Sequence, residues 1–237
     1  MRVRHPHRLR GLRRPAVAAA TVAVILSFGA GVAVSRSLAP RPHEVRHNIP
    51  LRPDGSINPD PFLAAGVGTG KDVAIYTASG TGPAALNTPA PAGTPARYID
   101  YAVLAVTHPT FTPTDADKAA GLLPPGVTIT EAQGLNAMAR VQENLQSTGL
   151  SLKDLTFMRI YVDNVPPAAT ADYAGWNRAY RKFVANLDRV TGDVLPAYAP
   201  VVLENPTRPA RSNVEVATLP VTGWLVEIEV VAAYPHR

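Results

Sequence analysis

The apolar residues of this chain fall into two rhythms. Pro209–Val216 and Trp224–Val230 alternate apolar with polar and hold many β-branched residues, so they read as strands; Val73–Ala78, Leu155–Val162 and Tyr98–Val106 read as further ones. Leu135, Met138, Val141 and Leu145 recur at helical spacing within a first helix from about Thr130 to Thr148. Thr128 or Thr130 can cap it, Glu131 suits its positive end, and Gly149 stops it. A second helix starts near Thr170 and turns Tyr173, Trp176, Ala179, Tyr180, Phe183 and Leu187 to one side. Pro, Gly and polar residues mark 36–60 as a linker, and 81–97, 107–128 and 196–209 as loops. Strands flanking two separated helices, with no repeat and no regular βα alternation, predict an α+β fold with helices layered on one sheet face.

Charge changes the picture at one end only. The chain has 23 Lys and Arg against 18 Asp and Glu in 237 residues, a formal +5. Eight arginines and no acid lie within residues 1–43, so the remainder carries 15 against 18, or −3. The basicity belongs to a leader, and nucleic-acid binding loses its support. Six arginines within residues 2–14 precede an uncharged apolar run from Pro15 to Ser35, the layout of an export signal. Ala33-Val34-Ser35 would suit cleavage, yet about twenty residues also suffice to span a bilayer. A cleaved signal peptide and a retained membrane anchor both remain open, with a misplaced start codon as a third reading. Either of the first two puts the domain outside the cytoplasm and leaves the N-terminal segment as its sole link to a membrane. The expected organisation is leader 1–35, linker 36–60 and domain 61–237.

There is no cysteine, which removes thiol nucleophiles and Cys-based metal sites. The six histidines (5, 7, 43, 47, 108 and 236) sit mainly in the expected leader, linker and tail, which gives little support for a metal site. Gly66–Lys71 superficially resembles a phosphate loop. However, Ala65 holds the first glycine's place and Asp72 follows the lysine, so it reads as a turn.

The candidate chemistry sits in the last two strands. Arg211 stands at the mouth of one, just after Pro209-Ala210, and a guanidinium can grip a carboxylate through two parallel hydrogen bonds. Glu227 and Glu229 lie two apart on the other, so they share a face. Together these residues suit a small carboxylate substrate attacked by water.

Those same residues carry a family resemblance. Pro209-Ala210-Arg211-Ser212-Asn213-Val214-Glu215-Val216, then Val226-Glu227-Ile228-Glu229, resembles the Rid family of reactive intermediate deaminases, also called YjgF. Tyr76-Thr77-Ala78-Ser79-Gly80, Gln142–Leu145 with Gly149–Leu155, and Tyr173–Tyr180 resemble further family segments in the same order. The likeness covers roughly 60–80 and 130–234. It leaves about 81–129 as an insertion that the family pattern does not place.

The resemblance implies a chorismate mutase-like fold, a homotrimer with clefts between subunits, and cofactor-free hydrolysis of 2-imino or 2-enamino acids to 2-oxo acids and ammonia. It implies Arg211 as the carboxylate-binding residue and Glu227 as the water-positioning or proton-shuttling one, with Glu229 as the alternative because an extra residue precedes Val226. Ser79, Asn177 and Asn213 match substrate-contacting positions, with Ser212 and the Asn213 amide beside Arg211. Phe62 stands nearest to the place of a family tyrosine and lacks its hydroxyl. Asn213 replaces a frequent cysteine, so thiol-linked regulation does not transfer. Two other readings stay open: an extracytoplasmic trimer that binds small carboxylates without turnover, and an interaction trimer using the insertion as its contact surface.

Overall fold

Two helix starts tied together by one hydrogen bond set the architecture. In the computed structural model, which describes residues 39–236, a nineteen-residue helix runs Ile129–Ser147 and a shorter one Tyr173–Arg181. Thr128 caps the first by accepting from the Glu131 N–H, and Asp172 caps the second by accepting from the Gly175 N–H. The Thr128 hydroxyl donates to Asp172 at 2.5 Å, so each cap holds the other. A Cβ on Gly175 would lie 2.2 Å from Asp172 Oδ2 and 2.3 Å from Thr128 Oγ1, which explains a glycine at this crossing. Thr128→Ala is therefore expected to cost about 2 kcal/mol, the upper end for a single cap. Urea unfolding checks this; a loss below about 0.5 kcal/mol would mean that the linkage is inert.

In chain order the strands are β1 (Val45–Asn48), β2 (Gly66–Thr69), β3 (Ile75–Thr77), β4 (Leu155–Val162), β5 (Ala210–Glu215) and β6 (Val226–Ala233). The helices are α1 (Tyr101–Thr107), α2 (Asp115–Ala119), α3 (Ile129–Ser147) and α4 (Tyr173–Arg181). β1 and β2 form an antiparallel pair, and the main sheet has the order β3-β6-β4-β5. Its β4–β5 pair is parallel and the others are antiparallel. The expected α+β class holds, with α3 and α4 on one face of a mixed sheet. Met158, Ile160, Val162, Val226, Ile228 and Val230 point to that face, against Leu135, Met138, Val141, Leu145, Trp176 and Tyr180. Gly134 lets the helices close up, since a Cβ there would meet Ala179 Cβ at 2.9 Å.

Several boundaries differ from the sequence expectations. Tyr98–Val106 is no strand: Pro95–Tyr98 is a 3-10 turn, and Asp100 caps α1 through the Ala102 and Val103 N–H groups. A short continuous apolar run fits either state, and here the cap decided. The 36–60 linker contains β1, and the expected turn at Gly66–Gly70 is mostly β2, because each supplies the other's hydrogen-bonding partner. The second helix begins at Tyr173 and ends at Arg181, so Phe183 is buried beyond its end and Leu187 forms a bridge to Val194. Trp224 precedes β6 instead of opening it.

The insertion is stitched to α3 by two buried amides. Asn136 donates to the carbonyls of Ala84 and Tyr98 and accepts from the Ala84 N–H. Gln133 donates to Pro95 and Gly223 and accepts from Leu225. The compact unit starts at Pro40. The expected leader, residues 1–35, lies outside the described residues. Among those described, no helix is long and apolar enough to cross a membrane.

Candidate functional site

Arg211 enters β5 in parallel register with Met158, so it leans toward the helix face, at the sheet's outer edge. Its Nη2–H donates to Asn177 Oδ1 at 3.0 Å, on α4. The guanidinium carbon lies 4.3 Å from the Phe62 ring centroid and 4.5 Å from that of Tyr180. These rings stack on each other at 5.4 Å, and the Tyr180 hydroxyl donates to the Phe62 carbonyl. Phe62 is thus placed by its own backbone as well as its ring. Burial brings the Arg211 pKa down to about 10, with opposing help from Tyr180 and further depression from Arg181. It remains charged at neutral pH.

One end of this cation is unanswered. Nη1 is buried without a hydrogen-bond partner, and no carboxylate among the described residues pairs with Arg211. Asn213 shares the Arg211 face, and its Oδ1 is likewise buried and unpartnered. Folded proteins rarely leave such groups unmet, because each forfeits hydration worth about 1–3 kcal/mol, more for a charge. The neighbouring arginines have anionic or carbonyl partners, although Arg181 Nε is also buried without one. Arg181 pairs with Asp60 at 2.7 Å, and Arg208 donates to the carbonyls of Pro61, Pro206 and Leu187. Of these three arginines, Arg211 alone buries an Nη atom without a partner.

The glutamates occupy the other side of the sheet. Glu227 is in register with Tyr161 and Glu229 with Arg159, all on the face away from the helices. Glu229 is taken up by Arg159 Nη1 and the Tyr161 hydroxyl, both at 3.3 Å. Glu227 has no ion pair and its pKa is raised, first by partial burial and then by the Glu229 charge. Ala78 bonds to Val230 and Thr81 bridges Ile228, so Ser79 and Gly80 together oppose Glu229 as a bulge. Glu227 fills the space above that bulge: a Cβ on Gly80 would lie 1.9 Å from its Oε1. Gly80→Ala should therefore displace Glu227 while the melting temperature moves little, since a flexible side chain can yield. A large fall in melting temperature would assign Gly80 to folding instead.

The structure thus gathers Arg211, Asn177, Asn213 and Phe62 on one face, and Ser79, Gly80 and Glu227 on the other. It does not bring Arg211 and Glu227 together within one chain. Their strands are not neighbours, because β4 lies between β5 and β6. Sequence reasoning missed this, as it assumed that consecutive strands pair. It also missed Tyr180, which had been read as core alone. Among the described residues no cluster of three His, Asp or Glu could hold a metal.

A family model described as Endoribonuclease L-PSP matches residues 123–234. Residues 123–234 are a YjgF/Rid family domain. Among solved structures the chain is similar to the Rid protein YyfB from Yersinia pestis (18% identity, 80% of this chain and 98% of that one, TM-score 0.40). It is similar also to Rv2704, a YjgF/YER057c/UK114 family member from Mycobacterium tuberculosis (19%, 68% and 79%, TM-score 0.35). A third is E. coli TdcF with bound serine (22%, 49% and 72%, TM-score 0.31). No curated protein matches the sequence. Arg211, Asn177, Asn213 and Glu227 fall inside the Rid domain, whereas Phe62 and Ser79 are supplied by chain ahead of it. The 81–129 insertion lies mostly ahead of it too.

Proposed function

We propose that this protein is a cofactor-independent hydrolase of 2-imino and 2-enamino acids, assembled as a homotrimer and carried outside the cytoplasm by its leader. The observation that carries this reading is the buried, unpartnered Nη1 of Arg211 beside the unpartnered Oδ1 of Asn213. A substrate carboxylate supplies the missing anion, bound edge-on by a guanidinium already oriented by Asn177. The Phe62 and Tyr180 rings, stacked on each other, lie together against that guanidinium and help hold it, while Nη1 stays open for recognition.

Glu227 takes the second role. Its carboxylate is free of ion pairs and its raised pKa brings it nearer to the working range of a general base. It takes a proton from water as the oxygen bonds to the imine carbon, and returns that proton to the nitrogen. It then takes the hydroxyl proton of the carbinolamine as the carbonyl forms and gives it to the departing nitrogen, so ammonia and the 2-oxo acid are released and Glu227 is a carboxylate again. Because Arg211 and Glu227 lie on opposite faces in one chain, two copies contribute to each site. The edge of β5 in one copy faces the glutamate-bearing sheet face of the next.

The test is to generate 2-iminobutanoate with an upstream enzyme and follow its decay with and without the full chain. Acceleration that is lost on Arg211→Ala supports the proposal; unaltered decay removes it. A second reading, carboxylate binding without turnover, is favoured by the same separation of faces, since a single copy holds the binding half alone. It also needs no supply of short-lived imines outside the cell. Calorimetric titration with 2-oxo acids would then show binding that depends on Arg211 without any effect on imine decay.

A further inference from the structure

The insertion builds a second pocket on the far side of α4, and nothing in the Rid reading uses it. Its volume is about 200 Å³, whereas a single water needs about 10–15 Å³. Its polar lining is His108 and Glu131, together with Arg178 of α4 and Lys182 just past its end, with Val127 and Tyr198 among its apolar walls. Arg178 follows Asn177 by one residue, about 100° round the helix, so this pocket and the Arg211 site open on different sides of α4. Tyr198 stands between them: its ring lies 4.5 Å from the Arg181 guanidinium and its hydroxyl donates to Asp60.

We propose that this pocket is a binding site for a small monocarboxylate. Glu131 is only 3% exposed, and one of its oxygens accepts from Arg178 Nε at 2.7 Å. That contact uses Nε, and among the described residues neither Nη group has a partner. Lys182 donates to the carbonyls of Tyr198 and Pro200 at 2.8 and 3.0 Å, which leaves the third of its three N–H groups. His108 adds an imidazole whose Nδ1 sits 2.9 Å from the Thr107 hydroxyl.

Two cations against one carboxylate leave a single unbalanced positive charge in a half-enclosed space. One more carboxylate balances it, whereas a phosphate dianion would overshoot and meet Glu131. Burial is the main cause that lowers the pKa values of both Lys182 and His108, with Lys182 adding to the effect on His108. An incoming anion would offset that penalty. Val127 and the Tyr198 ring give the ligand's carbon end an apolar wall, so a short aliphatic acid fits better than an inorganic ion.

The experiment uses sodium propionate against sodium chloride at equal ionic strength, with the full chain. Hydrogen exchange of segments 124–131 and 196–200 reports occupancy at this pocket directly. Protection by propionate is expected in the wild type and also in Arg211→Ala, where the other arginine site is removed. Adding Lys182→Met to Arg211→Ala should weaken that protection at least tenfold in propionate concentration, and Lys182→Arg should restore most of it. No protection in the wild type would overturn the proposal, as would protection abolished by Arg211→Ala yet indifferent to Lys182→Met.

Discussion

Arg211→Met should abolish imine hydrolysis, lowering kcat/KM by on the order of 10²–10⁴, while leaving the protein as stable as before or more so. Two charge-assisted hydrogen bonds to a substrate carboxylate, at roughly 1.5–3 kcal/mol each, set that range, with about 1.4 kcal/mol for every tenfold. Stability should move the other way for a separate reason. The guanidinium is desolvated, has one neutral partner in Asn177, and leaves Nη1 unmet, so an apolar side chain of similar length relieves a penalty. Arg211→Lys should recover little activity, because an ammonium keeps the charge but loses the planar fork and its contact with the Phe62 and Tyr180 rings. Parallel measurement of imine decay and thermal unfolding separates the two effects. If Arg211→Met lowers activity and Tm together in proportion, the arginine is holding the fold and the substrate role fails.

The parts of this fold that were legible in the sequence are those where local and tertiary signals agree. Thr128, the α3 stripe and Gly149 name one helix almost to the residue, and β4 is found at its expected limits. Tyr98–Val106 failed because the apolar run Tyr101–Val106 has no period to read, and the Asp100 cap before it was passed over. β1 and β2 were hidden for another reason: strands of four residues rich in glycine and charge declare themselves only through their partner. Gln133 and Asn136 were a missed clue. Two amides on the buried side of α3 make sense only if something polar, here the backbone of the insertion, packs against them.

The site was half legible. Arg211, Asn177 and Phe62 were named from sequence and do meet, although Phe62 and Asn177 lie far from Arg211 along the chain. What no periodicity could reveal is the strand order. With β4 inserted between β5 and β6, the parity of Arg211 follows Met158 and that of Glu227 follows Tyr161, and these point to opposite faces. A single slip in either register would have put both on one face. For the proposed hydrolase this separation has a consequence: catalysis would depend on a second copy of the chain.

That dependence gives the second large effect, and it is a gain. Glu227→Gln alone should reduce turnover by about 10²–10⁴, the usual range for a lost general base. In the wild type, turnover should fall as pH drops through the raised pKa of Glu227, since only its carboxylate can accept the proton. Glu227→Gln should lose that acidic limb. Arg211→Met alone should be inactive too. Unfolded together in equal amounts and refolded, the two inactive chains should regain activity. Each cleft then draws its arginine from one copy and its glutamate from the next. A cleft is intact only when a Glu227→Gln chain supplies the arginine and an Arg211→Met chain the glutamate. With random mixing in a closed ring of three, about a quarter of the clefts meet that condition, so roughly a quarter of wild-type activity is expected. The regained activity should also keep the wild-type pH limb, because each intact cleft contains an unaltered Glu227. A mixture as inactive as its components would mean that both residues serve the same chain or that one serves none. Either result would exclude a site shared between copies, and with it the only arrangement in which this sheet lets the guanidinium and the free carboxylate act on one substrate.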